Sequence, residues 1–352
     1  VDVTELEKTW TYDDFYEACK KVKEYTGCEY VISDMSKGDC LLNISSIPYG
    51  AKAGWGISNA LAFDQEKEEF YFADTTDGAK EWLTWLNKMV KDGILDPESF
   101  SQEDDAAKAK FFTGETYVMT GNYQNLNDYT TQLQVEGAEL YMATTPGGPA
   151  GMVQIENSRL ENGVMISQNA LDELGEEGFI KMLRFVDWLW YSEEGHTLSQ
   201  WGIEGETYTK DSEGNIILNP DITYNGVNPN AEKKLNADYG FAGGVFAYGG
   251  PTWIRNSKMT TDGEKDFEKR IQEYREPRPK DPPFMANEEE LTLIQTPLID
   301  STKTWIQKFI TGQADIDTQW ESYVSEIKSL GVDNYVSQVN EIFEKNKTKL
   351  GY

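Results

Sequence analysis

Aromatic rings placed close to glycine are the residues of this sequence whose types and spacing best suit ligand binding. The tripeptide Gly121-Asn122-Tyr123 follows a short apolar run, Tyr117 to Met119, and presents a ring beside a side-chain amide. Trp55, Trp201 and Trp253 each stand near glycine in a turn-like context. Small-molecule pockets combine mostly apolar walls with a few convergent polar groups. These rings are therefore candidate ligand contacts, and ordinary packing in loops is the alternative.

Two carboxylates, Glu204 and Glu206, raise the separate possibility of catalysis on glycosidic bonds. Such chemistry needs two carboxyl groups facing each other across the bond at a set separation, which sequence spacing does not show. The chain carries 61 acidic and 32 basic residues, so neighbouring carboxylates are typical of its solvated surface. The single histidine, His196, follows Gly195 at an expected helix end, where a cation caps the helix favourably. The sequence therefore assigns no catalytic residue.

Neither a metal site nor a cofactor site is indicated. Cys19, Cys28 and Cys40 contain no CxxC pair and lie far from the single histidine, which argues against zinc. The glycine-rich stretch 240–250 lacks the Lys and Ser/Thr of a phosphate-binding loop. Residues 211–215 are too few for a calcium loop. Cys19 is expected in the core of the first helix, and the disulfide status of the three cysteines is left open.

The net charge of −29 excludes one class of partner. A surface this acidic repels phosphate backbones and anionic membrane surfaces, so no nucleic-acid partner is expected. The sequence shows no signal peptide, lipidation motif or long apolar run. Any targeting segment is expected to have been removed or to lie upstream.

Helices and short apolar strands alternate along the chain, which predicts an α/β fold. Helices are predicted over 12–26, 79–90, 106–112, 176–191 with an extension to 202, 291–310, 320–330 and 335–343. Strands are predicted over 30–32, 70–72, 117–119, 140–143 and 163–166, a hairpin over 208–216, and a mostly buried helical stretch over 41–61. Residues 203–290 are expected to form a mostly irregular inserted region.

The pattern of the helix over 176–191 predicts a broad inward face. Its inward residues are expected to be Phe179, Met182, Leu183, Phe185, Val186, Leu189 and Trp190. Trp82 and Trp85 lie on the apolar stripe of an earlier helix and are expected in the core, as are Trp188 and Trp190.

Four segments in a fixed order resemble the extracellular solute-binding proteins of carbohydrate ABC importers. They are KTWTYDDF at 8–15, FTGET at 112–116 followed by Gly121-Asn122-Tyr123, LWYSEEG at 189–195, and WGIEGETY at 201–208 with FITG at 309–312 and WESY at 320–323. The resemblance covers residues 8–345 and is to the maltose-binding type, in the lipoprotein branch found in Firmicutes.

This resemblance implies a type II periplasmic-binding-protein fold of two α/β lobes joined by hinge crossings. The C-terminal lobe would begin with residues 1–115, and residues 116–190 would form the second part of the N-terminal lobe. Residues 191–352 would return to the C-terminal lobe and carry the irregular insertion 203–290. The first part of the N-terminal lobe has no counterpart here, so that lobe is expected to be incomplete.

The resemblance also implies that the protein is not an enzyme. It would bind an extracellular carbohydrate, most simply an oligosaccharide, and deliver it to an ABC transporter permease, as a cell-surface lipoprotein whose anchor is not in this chain. Tyr123 occupies the family position of a sugar-stacking tryptophan, with Asn122 beside it. The other expected ligand contacts are Trp55, Trp201, Glu204, Tyr208 and Trp253. A glycoside-active enzyme and a sugar-sensing partner of a membrane receptor are the alternatives.

Overall fold

A computed structural model describes residues 2–55, 60–155, 165–212, 214–224, 227–228, 230–242, 262–278, 281–282 and 289–350. The chain divides into two compact units. Unit 1 comprises residues 1–121, 133–157 and 270–352, and unit 2 comprises residues 122–132 and 158–269. These units and the lobes implied by the resemblance divide the chain at different residues, and the lobe boundaries stay a prediction.

The described residues are rich in helix and contain small sheets. The helices are α1 Val3–Leu6, α2 Tyr12–Thr26, α3 Asp39–Ser46, α4 Asp77–Lys91, α5 Asp104–Phe112, α6 Tyr123–Thr130, α7 Gln168–Tyr191, α8 Glu193–Trp201, α9 Leu235–Tyr239, α10 Asp262–Tyr274, α11 Glu289–Thr311, α12 Ile316–Ser329 and α13 Val332–Leu350. The strands are β1 Leu61–Asp64, β2 Glu69–Phe72, β3 Tyr208–Lys210, β4 Ile216–Leu218, β5 Ile222–Thr223 and β6 Lys233–Lys234. The pairs β1–β2 and β3–β4 are antiparallel, and β5–β6 is parallel.

Three extended segments run in parallel through the core of unit 1. Ile32 forms parallel bridges with Leu95 on one side and Val118 on the other. The backbone N–H groups of Tyr117 and Val118 donate to the Val31 carbonyl at 2.8 and 3.0 Å. In the predicted strands 30–32 and 117–119, one residue each, Ile32 and Val118, therefore forms a β-bridge.

Local signals placed the helix ends of unit 1 correctly. Thr11 caps α2 in a reciprocal capping box with Asp14, and Gly27 ends that helix in the left-handed conformation. Thr76 caps α4, whose Trp82 and Trp85 are buried in the core as predicted. Cys19 is buried in the same core, also as predicted.

Two predictions for unit 1 are wrong. In the described part of the stretch 41–61, helix α3 ends at Ser46, and a following 3-10 turn at Ile47 to Tyr49 ends at Gly50 in the left-handed conformation, so the chain leaves the helix there. Residues 140–143 are not a strand. Side chains hold this segment instead, because the Arg270 guanidinium donates to the Met142 carbonyl at 3.2 Å.

The predicted inward face of the helix over 176–191 is only partly confirmed. Among the residues predicted to point inward, Leu189 is buried and Phe179, Met182, Val186 and Trp190 are half-buried, whereas Leu183 and Phe185 are exposed. The predicted extension to residue 202 is a separate helix, because Ser192 takes extended φ and ψ and caps α8 by accepting from the Gly195 N–H at 3.0 Å.

The region 203–290 is more regular than predicted. It contains the expected hairpin, in which Tyr208 pairs with Leu218, and also the helix α10. In the predicted strand 163–166, residues 163 and 164 lie outside the described residues, and Met165 and Ile166 form no strand.

Candidate functional site

Two hydrogen-bonded polar residues lie at the carboxyl ends of two neighbouring parallel segments in unit 1. Asp34 follows the bridged residue Ile32, and Thr120 follows the bridged residue Val118. The carboxylate of Asp34 accepts from the Thr120 hydroxyl at 2.6 Å and from its backbone N–H at 3.1 Å. In α/β proteins, ligands bind outside the carboxyl ends of parallel strands. This end of the bridged segments is therefore the candidate ligand-binding edge of unit 1.

The same carboxylate holds the N-terminus of α3. Gly38 is the N-cap of this helix and supplies no side-chain bond, so the Leu41 N–H donates to Asp34 Oδ2 at 3.2 Å. Burial raises the pKa of the Asp34 carboxyl, while the hydrogen bonds from Thr120 act in the opposite direction. A carboxylate at a helix N-terminus is favoured by the exposed N–H groups and the helix dipole.

The turn before α3 carries strained backbone. Ser36 and Lys37 have φ of 55° and 53°, in the left-handed region that non-glycine residues rarely adopt. The Ser36 N–H donates to an Asp104 carboxylate oxygen at 2.7 Å, which fixes the turn from α5. Strain of this kind collects at functional sites, where the surrounding structure holds it in place.

The backbone of Trp55 is held against the N-terminus of α3, and its ring is exposed. Its N–H donates to the Asp39 carbonyl at 2.9 Å. At Gly54, which has φ of 82°, a Cβ atom would lie 2.2 Å from the same carbonyl, so only glycine permits this close approach. The Trp55 side chain is 64% exposed. An exposed ring on a fixed backbone is a suitable stacking platform.

Asn122 and Tyr123 begin α6 in unit 2, rather than standing in a turn after a strand. Asn122 is the N-cap of this helix, and its side chain accepts from the Asn125 N–H at 3.0 Å. The Asn125 side chain accepts in turn from the Asn122 N–H at 3.0 Å. The cap uses the Asn122 side-chain oxygen and leaves its amide N–H groups for a ligand. Tyr123 is the first residue of the helix, and its side chain lies outside the described part of the structure.

Trp201 ends α8 beside a small cluster of buried apolar residues, Leu218, Ile222, Leu235 and Ala242. Its ring is half-buried and meets the Tyr224 ring edge-on, with centroids 6.0 Å apart. Gly202 next to it has φ of 82°, and a Cβ there would lie 2.6 Å from the Phe241 ring. Trp201 therefore packs within unit 2 and leaves only part of its ring for a ligand.

Glu204 and Tyr208 are joined through backbone pairing at the start of the hairpin β3–β4. Tyr208 is buried, and burial raises the pKa of its hydroxyl, so this ring is held in the unit rather than presented to solvent. Glu204 is exposed and pairs with Lys210 at 3.3 Å. Glu206 is also exposed, which fits the interpretation of both carboxylates as solvated surface.

The remaining sequence-level candidates are placed as follows. Trp253 lies outside the described residues. His196 is buried within α8 and is not the cap of a helix end, so that prediction is wrong: the helix over 176–191 stops at Ser192, four residues earlier. Cys19, Cys28 and Cys40 are free thiols. In the part of the chain that the structure describes, no His/Cys/Asp/Glu group could hold a metal ion.

The candidate residues thus fall in both units. Trp55 belongs to unit 1, whereas Asn122, Tyr123, Trp201, Glu204 and Tyr208 belong to unit 2. Asp34 and Thr120 were missed by sequence reasoning. A signal was present, because each is a polar residue within two positions of the end of a predicted strand, where α/β proteins place ligand contacts.

Comparison with known proteins identifies the fold. No protein-family model matches the chain, and no curated protein matches it. The alginate-binding protein AlgQ2 is similar over 96% of this chain and 68% of its own, with a TM-score of 0.66 and 15% sequence identity. The chain has the fold of a type II periplasmic solute-binding protein.

Two further solute-binding proteins share this fold. The ABC-transporter substrate-binding protein FusA of S. pneumoniae, solved with fructo-nystose, is 14% identical over 97% of this chain and 69% of its own, with a TM-score of 0.61. An HMO-binding solute-binding protein of Bifidobacterium longum infantis is 16% identical over 96% and 70%, with a TM-score of 0.59. The solute-binding-protein fold confirms the α/β class predicted from the sequence. Among the described helices, none is long and apolar enough to cross a membrane.

Proposed function

We propose that this protein binds an extracellular carbohydrate and delivers it to an ABC transporter permease at the cell surface. The observation that carries the proposal is the match of the solute-binding-protein fold over 96% or more of the chain, to structures named for alginate, for fructo-nystose and for HMO binding. Attachment to the membrane as a lipoprotein, and an oligosaccharide as the ligand, are part of the same proposal.

Each unit, taken by itself, contains side chains that suit such a ligand. Sugar rings have apolar faces that stack on aromatic rings, and the exposed ring of Trp55 offers one such platform. In unit 2, polar groups for sugar hydroxyls come from the amide of Asn122, next to Tyr123, and from the carboxylate of Glu204. The half-buried ring of Trp201 adds apolar surface. Stacking on one ring contributes about 1–3 kcal/mol, by analogy with nucleic-acid bases. Two or three rings and several hydrogen bonds reach the roughly −8 kcal/mol of micromolar binding.

The glycoside-active enzyme is the weaker candidate. Glycoside cleavage needs a carboxyl group that stays protonated near neutral pH, which proteins obtain by burying it. Glu204 and Glu206 are both exposed, and Glu204 is ion-paired with Lys210. A sugar-sensing partner of a membrane receptor would use the same binding surface. Such a protein would bind a membrane receptor, whereas a transport protein binds the ABC transporter permease.

A binding screen tests the proposal directly. The chain is labelled and applied to an oligosaccharide array, with kestose, fructo-nystose and alginate oligosaccharides also measured by calorimetry and thermal shift. A sugar at a hundred times its Kd should stabilise the folded state by about 2.7 kcal/mol, and chromatography should recover it intact. Release of shorter sugars would support the enzyme instead. Absence of binding to every oligosaccharide on the array would overturn the proposal.

A further inference from the structure

Trp55 stands at the end of a loop that forms neither helix nor strand. Residues 51–55 leave the 3-10 turn at Gly50 and run along the N-terminal half of unit 1 without regular backbone pairing. Such a segment keeps one shape where individual hydrogen bonds hold its backbone. The donors that do so are the backbone N–H groups of Ala51, Lys52, Ala53 and Trp55. The position of the Trp55 ring therefore depends on the acceptors that these groups meet.

Three of the four donors bond back to α3. The Ala51 N–H donates to the Ser46 carbonyl at 3.1 Å, and the Ala53 N–H donates to the Ser46 hydroxyl at 3.3 Å. The Trp55 N–H donates to the Asp39 carbonyl at 2.9 Å. These three bonds hold the loop to a single helix.

The fourth donor bonds to a side chain outside α3. The Lys52 N–H donates to a carboxyl oxygen of Asp74 at 2.8 Å. Asp74 is 2% exposed and lies in the 3-10 turn Ala73–Thr75, just before α4. Its own carbonyl accepts from the Tyr323 hydroxyl of α12 at 3.0 Å. The Asp74 carboxyl is therefore anchored in the core of unit 1 independently of α3.

Lys52 is held at a second point through its side chain. Its ammonium group pairs with the Asp281 carboxylate, which also accepts from the Phe63 N–H at 3.2 Å. Lys52 is thus fixed at its backbone by Asp74 and at its side chain by Asp281. It stands three residues before Trp55, so a displacement of Lys52 is passed to the ring through a short stretch of chain.

We propose that Asp74 is a positioning residue for carbohydrate binding, whose carboxyl fixes Lys52 and so holds the loop 51–55 in the shape that presents the Trp55 ring. This inference rests on the proposed function, in which a sugar stacks on that ring. A buried polar group is costly unless it is hydrogen-bonded, and the Lys52 N–H supplies a bond to this carboxyl. Removal of the acceptor would leave the loop held by α3 alone.

Fluorine NMR of the chain labelled with 5-fluorotryptophan tests this without a sugar. Trp55→Phe identifies the Trp55 resonance by its loss. Asp74→Ala should shift or broaden that resonance, whereas Asp74→Asn keeps an oxygen for the Lys52 N–H and should restore it. Asp64→Ala is the matched control, because the Asp64 carboxylate accepts from backbone N–H groups of its own turn. An unmoved Trp55 resonance in folded Asp74→Ala would overturn the proposal.

A pH titration of the native protein gives a second readout, which stands even where Asp74→Ala does not fold. Burial raises the pKa of the Asp74 carboxyl from 3.8 to about 7, while the N–H and the ammonium group of Lys52 act in the opposite direction. Lys52 and Tyr323 are the titratable groups that face this carboxyl in the described structure, and burial raises the pKa of Tyr323. The Trp55 resonance should move with a midpoint near pH 7 in the native protein and stay in place in Asp74→Asn. The same behaviour in both proteins would contradict the positioning role.

Calorimetry with the sugar found in the binding screen measures the consequence for affinity. Asp74→Ala should weaken binding by about threefold to tenfold, because a displaced ring loses part or all of its stacking. In a Trp55→Ala background the same change should have no further effect, since Asp74 acts only through the ring. An equal loss in both backgrounds would refute this role. If no sugar binds, the proposed function fails, and the fluorine spectra still decide whether Asp74 positions Trp55.

Discussion

The buried carboxylate of Asp34 accepts two hydrogen bonds from a single residue, Thr120. The Thr120 hydroxyl lies 2.6 Å and its backbone nitrogen 3.1 Å from Asp34 Oδ1. The other carboxylate oxygen accepts from Leu41 at the start of α3. One side chain therefore joins the ends of two parallel segments to the helix that supports Trp55.

Thr120→Val should destabilise the fold by about 1–3 kcal/mol, because it removes the hydroxyl donor from a buried carboxylate and keeps the side-chain shape. The free energy of unfolding in urea measures the loss. Thr84→Val is the matched control: Thr84 is exposed on α4, and its hydroxyl donates only to its own helix. That change should stay within about 0.5 kcal/mol. Equal effects of the two changes would show that the Thr120 hydroxyl contributes nothing specific.

Asp74 should make stability depend on pH between about 4 and 7. Burial raises the pKa of its carboxyl from 3.8 to about 7, and its side chain accepts from the Lys52 N–H at 2.8 Å. The folded state holds the proton more tightly than the unfolded state. The stabilising contribution is therefore complete below about pH 4 and is lost as the pH rises to about 7. Relative to Asp74→Asn, the native protein should lose at most about 4 kcal/mol over this range.

Urea unfolding at about pH 5, 6 and 8 measures this difference. Asp64→Asn is the control, because the hydrogen bond from Lys67 lowers the pKa of the Asp64 carboxyl. The contribution of Asp64 is present above about pH 4 and lost below it, so its difference should be flat between about pH 5 and 8. A flat difference for Asp74→Asn would mean that its carboxyl titrates normally.

Trp55→Ala should weaken carbohydrate binding about tenfold or more, since one stacked ring contributes about 1–3 kcal/mol. The melting temperature should hardly change, because the Trp55 ring is mostly exposed. Calorimetry with the sugar found in the binding screen gives the affinity. Tyr25→Ala removes an exposed ring elsewhere in unit 1 and should leave the affinity unchanged. Equal affinities of the two variants would remove Trp55 from the site.

Tyr123→Ala should also lower the affinity about tenfold or more, by the same stacking argument. Asn122 still caps α6 in this variant, so the helix should persist and the melting temperature should stay close to that of the native protein. Titration calorimetry and thermal unfolding are measured on the same samples. Unchanged affinity together with a large fall in melting temperature would make Tyr123 a core residue.

Arg270→Met should cost about 3–5 kcal/mol of stability. Its guanidinium lies 2.8 Å from the fully buried carboxylate of Glu7. In the variant this carboxylate would keep the Tyr141 hydroxyl and the Thr144 N–H as donors but lose its cationic partner, and such a loss is strongly destabilising. Lys8→Met breaks the exposed Lys8–Glu5 pair and should cost less than about 1 kcal/mol. Adding Glu7→Gln to Arg270→Met should restore part of the lost free energy of unfolding. If none is restored, the loss came from the packing of the Arg270 side chain rather than from the unpaired charge of Glu7.

Local signals in the sequence determined helix ends in unit 1 and a hairpin in unit 2. Thr11 with Asp14, Gly27 and Thr76 marked helix ends correctly, since capping depends on residues a few positions apart. The hairpin between Tyr208 and Ile216 followed from its turn residues. The resemblance of four ordered segments pointed to the solute-binding-protein fold, which comparison of the structures confirmed.

Tertiary structure decided which side chains meet. Asp34 and Thr120 are 86 positions apart, and only the parallel pairing of Ile32 with Val118 brings their side chains within 2.6 Å. Tyr208 looked like a ligand-facing ring and is buried, because pairing of β3 with β4 turns it inward. The apolar pattern of α7 predicted burial of Phe185, whereas that side chain is exposed in the described structure. Periodicity shows which face of an element is apolar, but whether another element covers that face depends on contacts between residues distant in sequence.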